Sequence, residues 1–225
     1  MTSQTPPSLR PDEARPPART RVVLDDVAIR RALMRIAHEI VETNEDVSDL
    51  YLVAIPNGGV PLGRVLVENL AQVAGAEPPM GILDTTLYRD DLTTRGMRPR
   101  LRRTEMPSMV DDCVVVLVED VVNTGRTIRA AMDALMDFGR PKAVRVVALV
   151  DRGHRELPIK IDYVGKNIPT QPGDRVRLRA GDAGGGAEVE AASALEVVIE
   201  SFPRPSADAS EQRKTAGSDQ EEGAR

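Results

Sequence analysis

Apolar residues change their period several times along the chain, and each change predicts an element. Ile29, Leu33, Ile36, Ala37 and Ile40 recur at helical spacing, with Asp25 or Asp26 placed to cap the helix start. Leu50 to Ile55 is a short apolar run that turns at Pro56-Asn57-Gly58-Gly59, and Val60 to Ala74 is helical again. Met80 to Leu87 predicts a strand. Cys113 to Val118 and Val144 to Val150 are continuous apolar runs, the mark of strands buried on both faces. Between those two runs, Gly125 to Phe138 predicts a helix stopped by Gly139 and Pro141. Shorter strands are expected at Tyr163-Val164, Val176 to Arg179 and Leu195 to Ile199. Strand, helix and strand in this rhythm predict an α/β fold, a parallel sheet flanked by helices.

The segments outside this pattern divide the chain. Residues 1–21 carry Pro6, Pro7, Pro11, Pro16 and Pro17 with little apolar content and read as a disordered arm. Residues 204–225, rich in Ser, Glu, Gln, Lys and Gly, read as a disordered tail. One domain is expected over residues 22–203, with a flexible turn at Gly184-Gly185-Gly186. Tyr88 to Ser108 is polar, rich in Arg and Asp, and too long for an ordinary connection; such loops are usually functional or disordered.

Composition narrows the class. No apolar run approaches the ~18 residues of a membrane helix, and no signal-peptide core opens the chain, so a cytoplasmic protein without membrane contact is expected. A single cysteine, Cys113, excludes an internal disulfide framework and a thiolate zinc site, and two histidines exclude a multi-histidine metal centre. The 30 basic and 35 acidic residues leave a net charge of -5, which argues against nucleic-acid binding over the whole surface but leaves room for a local basic face. Of the basic residues 26 are arginine and 4 lysine. That bias suits phosphate binding, and equally follows from a biased codon composition. An aromatic content of 2% excludes a base-stacking platform.

The segment from Val114 to Thr127 carries the chemistry. A buried strand ends in Glu119-Asp120, and Asn123-Thr124-Gly125-Arg126-Thr127 turns into a helix. Ligands of parallel sheets sit at the carboxyl ends of strands, and a helix start offers free N–H groups and a positive dipole to a phosphate. Thr124 and Thr127 add hydroxyl donors, and Gly125 permits close approach. The two carboxylates would accept from sugar hydroxyls or hold Mg²⁺. An ordinary strand-to-helix turn with acidic caps is the alternative reading of the same residues. The Gly-x-x-x-x-Gly-Lys spacing of a Walker loop is missing.

This segment resembles the phosphoribosyl pyrophosphate (PRPP) motif of type I phosphoribosyltransferases. Thr86-Leu87-Tyr88-Arg89-Asp90-Asp91-Leu92, Val150-Asp151-Arg152-Gly153-His154-Arg155-Glu156, Tyr163-Val164-Gly165-Lys166-Asn167-Ile168, Arg30-Arg31-Ala32-Leu33 and Ile36-Ala37-His38-Glu39-Ile40 narrow the resemblance. They are similar, in order and spacing, to the branch that joins pyrimidine-operon attenuation to uracil phosphoribosyl transfer. The resemblance implies a type I phosphoribosyltransferase fold with a flexible flap and a small hood. It implies the reaction of uracil with PRPP to give UMP and pyrophosphate, with Mg²⁺.

It also implies roles. Glu119 and Asp120 take the ribose hydroxyls, and Asn123, Thr124, Gly125, Arg126 and Thr127 the 5′-phosphate side. Arg89, Asp90 and Asp91 on the flap serve the pyrophosphate and metal end, with Asp120 as a further metal ligand, unless they are only solvated loop charges. Asn57, Gly58 and Gly59 form the pyrophosphate loop, and Lys166, Asn167 and Ile168 a hood over the base. Arg35, His38, His154, Arg155, Lys160 and Lys166, with Met34, line an RNA-binding face for pyr leader mRNA, responsive to UMP or UTP, on a homo-oligomer. Without the resemblance, Arg35 and His38 read as ordinary helix-surface residues.

Several positions depart from the family pattern, among them Met34 in place of a threonine and Lys160 in place of an arginine. Asn57-Gly58-Gly59 stands where Thr-Arg-Gly is usual, and Gly58 is compatible with a positive φ. Glu119 replaces an aspartate, and Asn123 an aromatic residue. The missing arginine opens the alternative of an RNA-binding regulator with weak or lost transfer activity. Transfer to another base is a third reading, disfavoured for purines because Asn123 cannot take a proton.

Overall fold

The computed structural model describes residues 17–202 except 45, 57, 91–101, 172 and 181–193. Asn57, Asp91, the Gly184 to Gly186 turn and the C-terminal tail lie outside the described residues, as does most of the N-terminal arm. The elements in order are β1 (Arg19–Leu24), α1 (Asp26–Thr43), β2 (Leu50–Ala54), α2 (Gly59–Ala74), β3 (Met80–Ile82), β4 (Val114–Val122), α3 (Arg126–Leu135), β5 (Ala143–Asp151), β6 (Tyr163–Asn167), β7 (Arg175–Ala180) and β8 (Leu195–Ser201).

Five strands form a parallel sheet in the order β3-β2-β4-β5-β6. β2 is buried along its whole length, as a strand covered on both faces must be. On one face Ile29 and Leu33 of α1 and Leu62 and Leu66 of α2 pack against Leu52, Val116 and Val118. On the other, Ile128, Ala131 and Leu135 of α3 pack against Val53, Val115 and Leu117. Asp25 caps α1, its carboxylate accepting from the Ala28 N–H at 2.8 Å.

The order of strands places the site. From β2 the chain moves outward to β3, and then jumps back across β2 to β4 on its other side. The helices that follow β2 and β4 therefore leave toward opposite faces. A crevice opens between the carboxyl ends of these two strands, where ligands of open α/β sheets bind.

Three expectations are corrected. The strand expected over Met80 to Leu87 ends at Ile82, because the Asp84 carboxylate accepts from the N–H groups of Thr86 (3.0 Å) and Arg102 (2.6 Å) and turns 86–88 into a 3-10 helix. The returning end of the Tyr88 to Ser108 stretch makes a bridge, Ile82 and Glu105 exchanging two hydrogen bonds of 2.7 Å. Folded structure begins earlier than residue 22, since β1 starts at Arg19 and pairs antiparallel with β8. β1, β8 and β7 make a separate antiparallel sheet, which is the small second layer. Lys166 and Asn167, expected to cover the base, stand at the carboxyl end of β6 in the main sheet, with Ile168 just beyond. Leu195 N–H donates to Asp26 Oδ1 at 3.0 Å, which ties β8 of the small sheet to the start of α1.

Candidate active site

β4 does not stop at the acidic pair but runs through it to Val122. Alternation along a strand sends adjacent side chains to opposite faces. Asp120 therefore lies on the α2 side, against the turn at Gly58. Glu119 lies on the α3 side, where the Arg89 guanidinium exerts an attractive field on it. The two carboxylates therefore flank the carboxyl end of β4 from opposite faces of the sheet.

Both carboxyls are held above the ordinary range. Burial is the main cause for each; for Glu119 the Asp120 charge adds to it and Arg89 opposes it, leaving it well raised. Glu119 is 8% exposed, and its Oε2 is buried without a partner. Asp120 Oδ1 accepts from the Val121 N–H at 2.8 Å. A buried acceptor with no donor costs stability unless a ligand meets it.

This cost has a measurable sign. A carboxyl whose folded-state pKa is raised costs stability as pH rises from the unfolded value through the folded one. Glu119→Gln is therefore expected to stabilise the protein at pH 7–8 by about 1–2 kcal/mol, a rise in Tm of about 2–8 °C. The gain should vanish near pH 4, below the usual glutamate pKa of about 4.3. Thermal unfolding of both proteins across pH checks it, and an unchanged Tm at pH 8 would mean that Arg89 fully compensates the charge.

The turn expected to hold phosphate is built around Gly125, whose φ of 90° is left-handed and favours glycine. Its α carbon also faces Ile159, so a side chain there would meet the neighbour as well as strain. α3 starts at the next residue. Arg89, Val121, Asn123, Thr124, Arg126 and Thr127 are among the residues lining a cavity of about 360 Å³ over the helix start. Arg89 Nη1 donates to Thr127 Oγ1 at 2.9 Å, and Asn123 Oδ1 is buried without a partner. The alternative of acidic helix caps is not what forms: Gly125 holds the cap position, with no side-chain bond.

Gly58 is not at positive φ. Its backbone is right-handed helical, with φ -75°. It is glycine for space, since a β carbon there would overlap the Asp120 side chain.

Other expected residues are placed elsewhere. Asp90 is bound to Arg126 Nη1 at 2.5 Å, and Arg126 Nε also pairs with Glu156 at 2.9 Å. The Ile168 N–H is taken by the Asp151 carbonyl at 2.9 Å and is not a donor for a base. Arg35 stacks α1 onto β6, Nη2 donating to the carbonyls of Val164 and Gly165 at 2.9 Å. His38, His154, Lys160 and Lys166 are exposed. Arg155 is not: its guanidinium turns inward to Asn123 O (2.7 Å), Ile159 O (3.1 Å) and Asp151 Oδ2 (2.7 Å). Arg155 and Glu156 as supports of the phosphate loop carry no local sequence signal, because their partners are 30 or more residues away.

Among the described residues no group of three or more His, Cys, Asp or Glu forms a metal cage. Asp120, beside the crevice and with no ion pair among the described residues, fits Mg²⁺ in the way that ion is usually held, by one or two carboxylates together with substrate phosphates and water.

A parallel sheet with a strand-borne acidic pair and a glycine-turned phosphate loop at its switch point defines a phosphoribosyl transferase, and residues 20–176 match the phosphoribosyl transferase domain family. The fold is similar to hypoxanthine-guanine phosphoribosyltransferase of Bacillus anthracis, with TM-score 0.55 and 18% identity over 69% of this chain and 86% of that one. It is also similar to the hypoxanthine phosphoribosyltransferase of Trypanosoma cruzi, with TM-score 0.54 and 22% identity over 66% and 80%. In sequence the chain is 54% identical to Bifunctional protein PyrR of Pelotomaculum thermopropionicum over 157 residues, covering 70% of this chain and 87% of that protein. It is 51% identical to Bifunctional protein PyrR of Thermus aquaticus over 162 residues, covering 72% and 90%. The chain belongs to the PyrR family of phosphoribosyl transferases.

Proposed function

We propose that this protein transfers phosphoribose from PRPP to uracil, giving UMP and pyrophosphate, and binds pyr leader RNA under the control of uridine nucleotides. The observation that carries the transfer reading is the Glu119 carboxylate, buried with one oxygen unpartnered beside the phosphate loop. A ribose hydroxyl supplies the donor that this oxygen lacks.

The free N–H groups at the start of α3 and the hydroxyls of Thr124 and Thr127 hold the 5′-phosphate. Glu119 and Asp120 accept from the 2′- and 3′-hydroxyls and orient the ring. As the bond from the anomeric carbon to pyrophosphate stretches, positive charge develops on the ring, and the adjacent carboxylates oppose it at no cost in reorganisation. Arg89, at the mouth of the cavity, stands where the leaving charge must be met. Mg²⁺, held by Asp120 with the substrate's own oxygens, would neutralise pyrophosphate. The remaining contribution is positioning: uracil nitrogen and anomeric carbon are brought into line in a closed site.

A labelled-base assay with PRPP and Mg²⁺ tests this reading. Uracil should be converted, and hypoxanthine and guanine should not, because the amide of Asn123 is no base. Conversion of a purine in preference to uracil would overturn it. For RNA, Lys166→Met is expected to weaken binding of a pyr leader hairpin across sequences and to lower the salt slope by about one, measured by titration at several salt concentrations.

A further inference from the structure

Arg89 reaches its place from a short 3-10 turn, Thr86 to Tyr88, that is pinned to α3 at two points. Arg129 Nη2 donates to the Tyr88 carbonyl at 2.7 Å. The Tyr88 hydroxyl donates to the Asp137 carboxylate just past the helix end. Arg129 is itself braced by Asp133, to which Nη1 donates at 2.8 Å. Residues 129 and 133 stand four apart on one face of α3, and Asp137 continues that line. The Arg129 Nε is buried without a partner, so the guanidinium is held by its two outer nitrogens. Locally the turn does little for Arg89: its N–H reaches the Thr86 carbonyl only at 3.4 Å, a long bond.

We propose that Arg129 is a positioning residue for phosphoribosyl transfer: by holding the Tyr88 carbonyl on α3 it fixes where Arg89 leaves the turn, and so aims the Arg89 guanidinium at Thr127. The proposal rests on the transfer reading given above, in which Arg89 meets the departing charge. Arg129 is not among the residues lining the cavity over the helix start, whereas Arg89 and Thr127 are. It therefore acts through Arg89 and not on the substrate. Its effect is entropic at root. A long side chain such as arginine loses much rotamer freedom when it is held, and a loose backbone beneath it adds to that loss. With the carbonyl just before Arg89 fixed, only the side chain remains to be ordered. Arg89 Nη1 donates to Thr127 Oγ1 at 2.9 Å. Thr127 and Arg129 both lie in the first turn of α3, so the backbone and the guanidinium of Arg89 are fixed by one rigid element. As pyrophosphate leaves, its charge meets a group that needs no rearrangement, the condition under which such a group is most effective.

The test sets steady-state kinetics with PRPP and uracil beside calorimetry with UMP, in the full chain. Arg129→Met should lower kcat/KM for PRPP by about 10- to 100-fold, as a misplaced catalytic group does. UMP affinity should stay at the wild-type value, because UMP brings no pyrophosphate to Arg89. Tyr88→Phe loosens the other pin and removes only a hydroxyl, so it puts the fold at less risk. It should give the same split with a fall of about 2- to 10-fold, the worth of one hydrogen bond. The decisive arm repeats each change beside Arg89→Met, where either should cost about twofold or less further, since residues that act as a unit are not additive. Equal losses with and without Arg89 would show that Arg129 and Tyr88 act independently of it and overturn the proposal. UMP affinity falling in step with kcat/KM would make Arg129 a support of the whole phosphate loop and overturn it too. Should Arg129→Met fail to fold, Tyr88→Phe with and without Arg89→Met decides by the same criteria. A wild type that converts no uracil would overturn the transfer reading itself, and the proposal with it.

Discussion

Replacing Glu119 and Asp120 together, as Glu119→Gln with Asp120→Asn, is expected to abolish measurable binding of PRPP and UMP while the fold survives. Each carboxylate offers a ribose hydroxyl a charged acceptor, and such hydrogen bonds contribute about 1.5–3 kcal/mol each. Losing both predicts a loss of about 3–6 kcal/mol, or roughly 10²–10⁴ in affinity. The amides keep the shape of the site but make neutral bonds, so the loss is electrostatic. The fold should be unharmed because both residues stand near the end of β4, beyond the Leu117 and Val118 stretch that is fully buried. Burial raises both carboxyls, so removing the charges takes away a cost rather than a support. Calorimetry for UMP and circular dichroism for the fold are the measurements. Near-normal UMP affinity would remove the pair from the site.

The second large effect concerns Gly58. The family resemblance puts an arginine in this loop, and restoring it looks from sequence like a gain of charge for the departing pyrophosphate. The structure reverses that expectation. The backbone at Gly58 would accept an L-residue, but the first carbon of any side chain would overlap Asp120 from its β carbon to its carboxylate. Asp120 is too short to bend away at its tip alone, so it must leave the crevice edge. Gly58→Arg, and even Gly58→Ala, should therefore lower kcat/KM for PRPP by about 10²–10³, the cost of removing one preorganised group from a site that stabilises charge. Gly58→Ala is the sharper test, since it adds bulk without charge. A tenfold rise in kcat/KM with arginine would show that Asp120 can change rotamer freely. The wild-type chain, lacking the guanidinium, is expected to transfer uracil slowly while binding UMP normally, because UMP carries no pyrophosphate.

What the sequence determined by itself is everything that rests on period and on contiguous residues. The runs at Leu50, Cys113 and Val144 had to be buried strands, since no other element hides an unbroken apolar stretch of that length on both faces. The α1 stripe from Ile29 to Ile40, and the phosphate loop from Thr124 to Thr127, were equally legible because all their determinants lie within a dozen residues. Tertiary structure decided the rest. That Gly58 is glycine for space, not for φ, depends on Asp120, 62 positions away, and on β2 and β4 lying side by side. The inward turn of Arg155 depends on Asn123 and Asp151 arriving at the ends of neighbouring strands. β1 is not legible from period because its burial pattern is almost wholly exposed, and it is a strand only because β8 supplies its hydrogen bonds. Period reports what a segment buries; it does not report which distant backbone or carboxylate it meets, and in this protein those meetings shape the site.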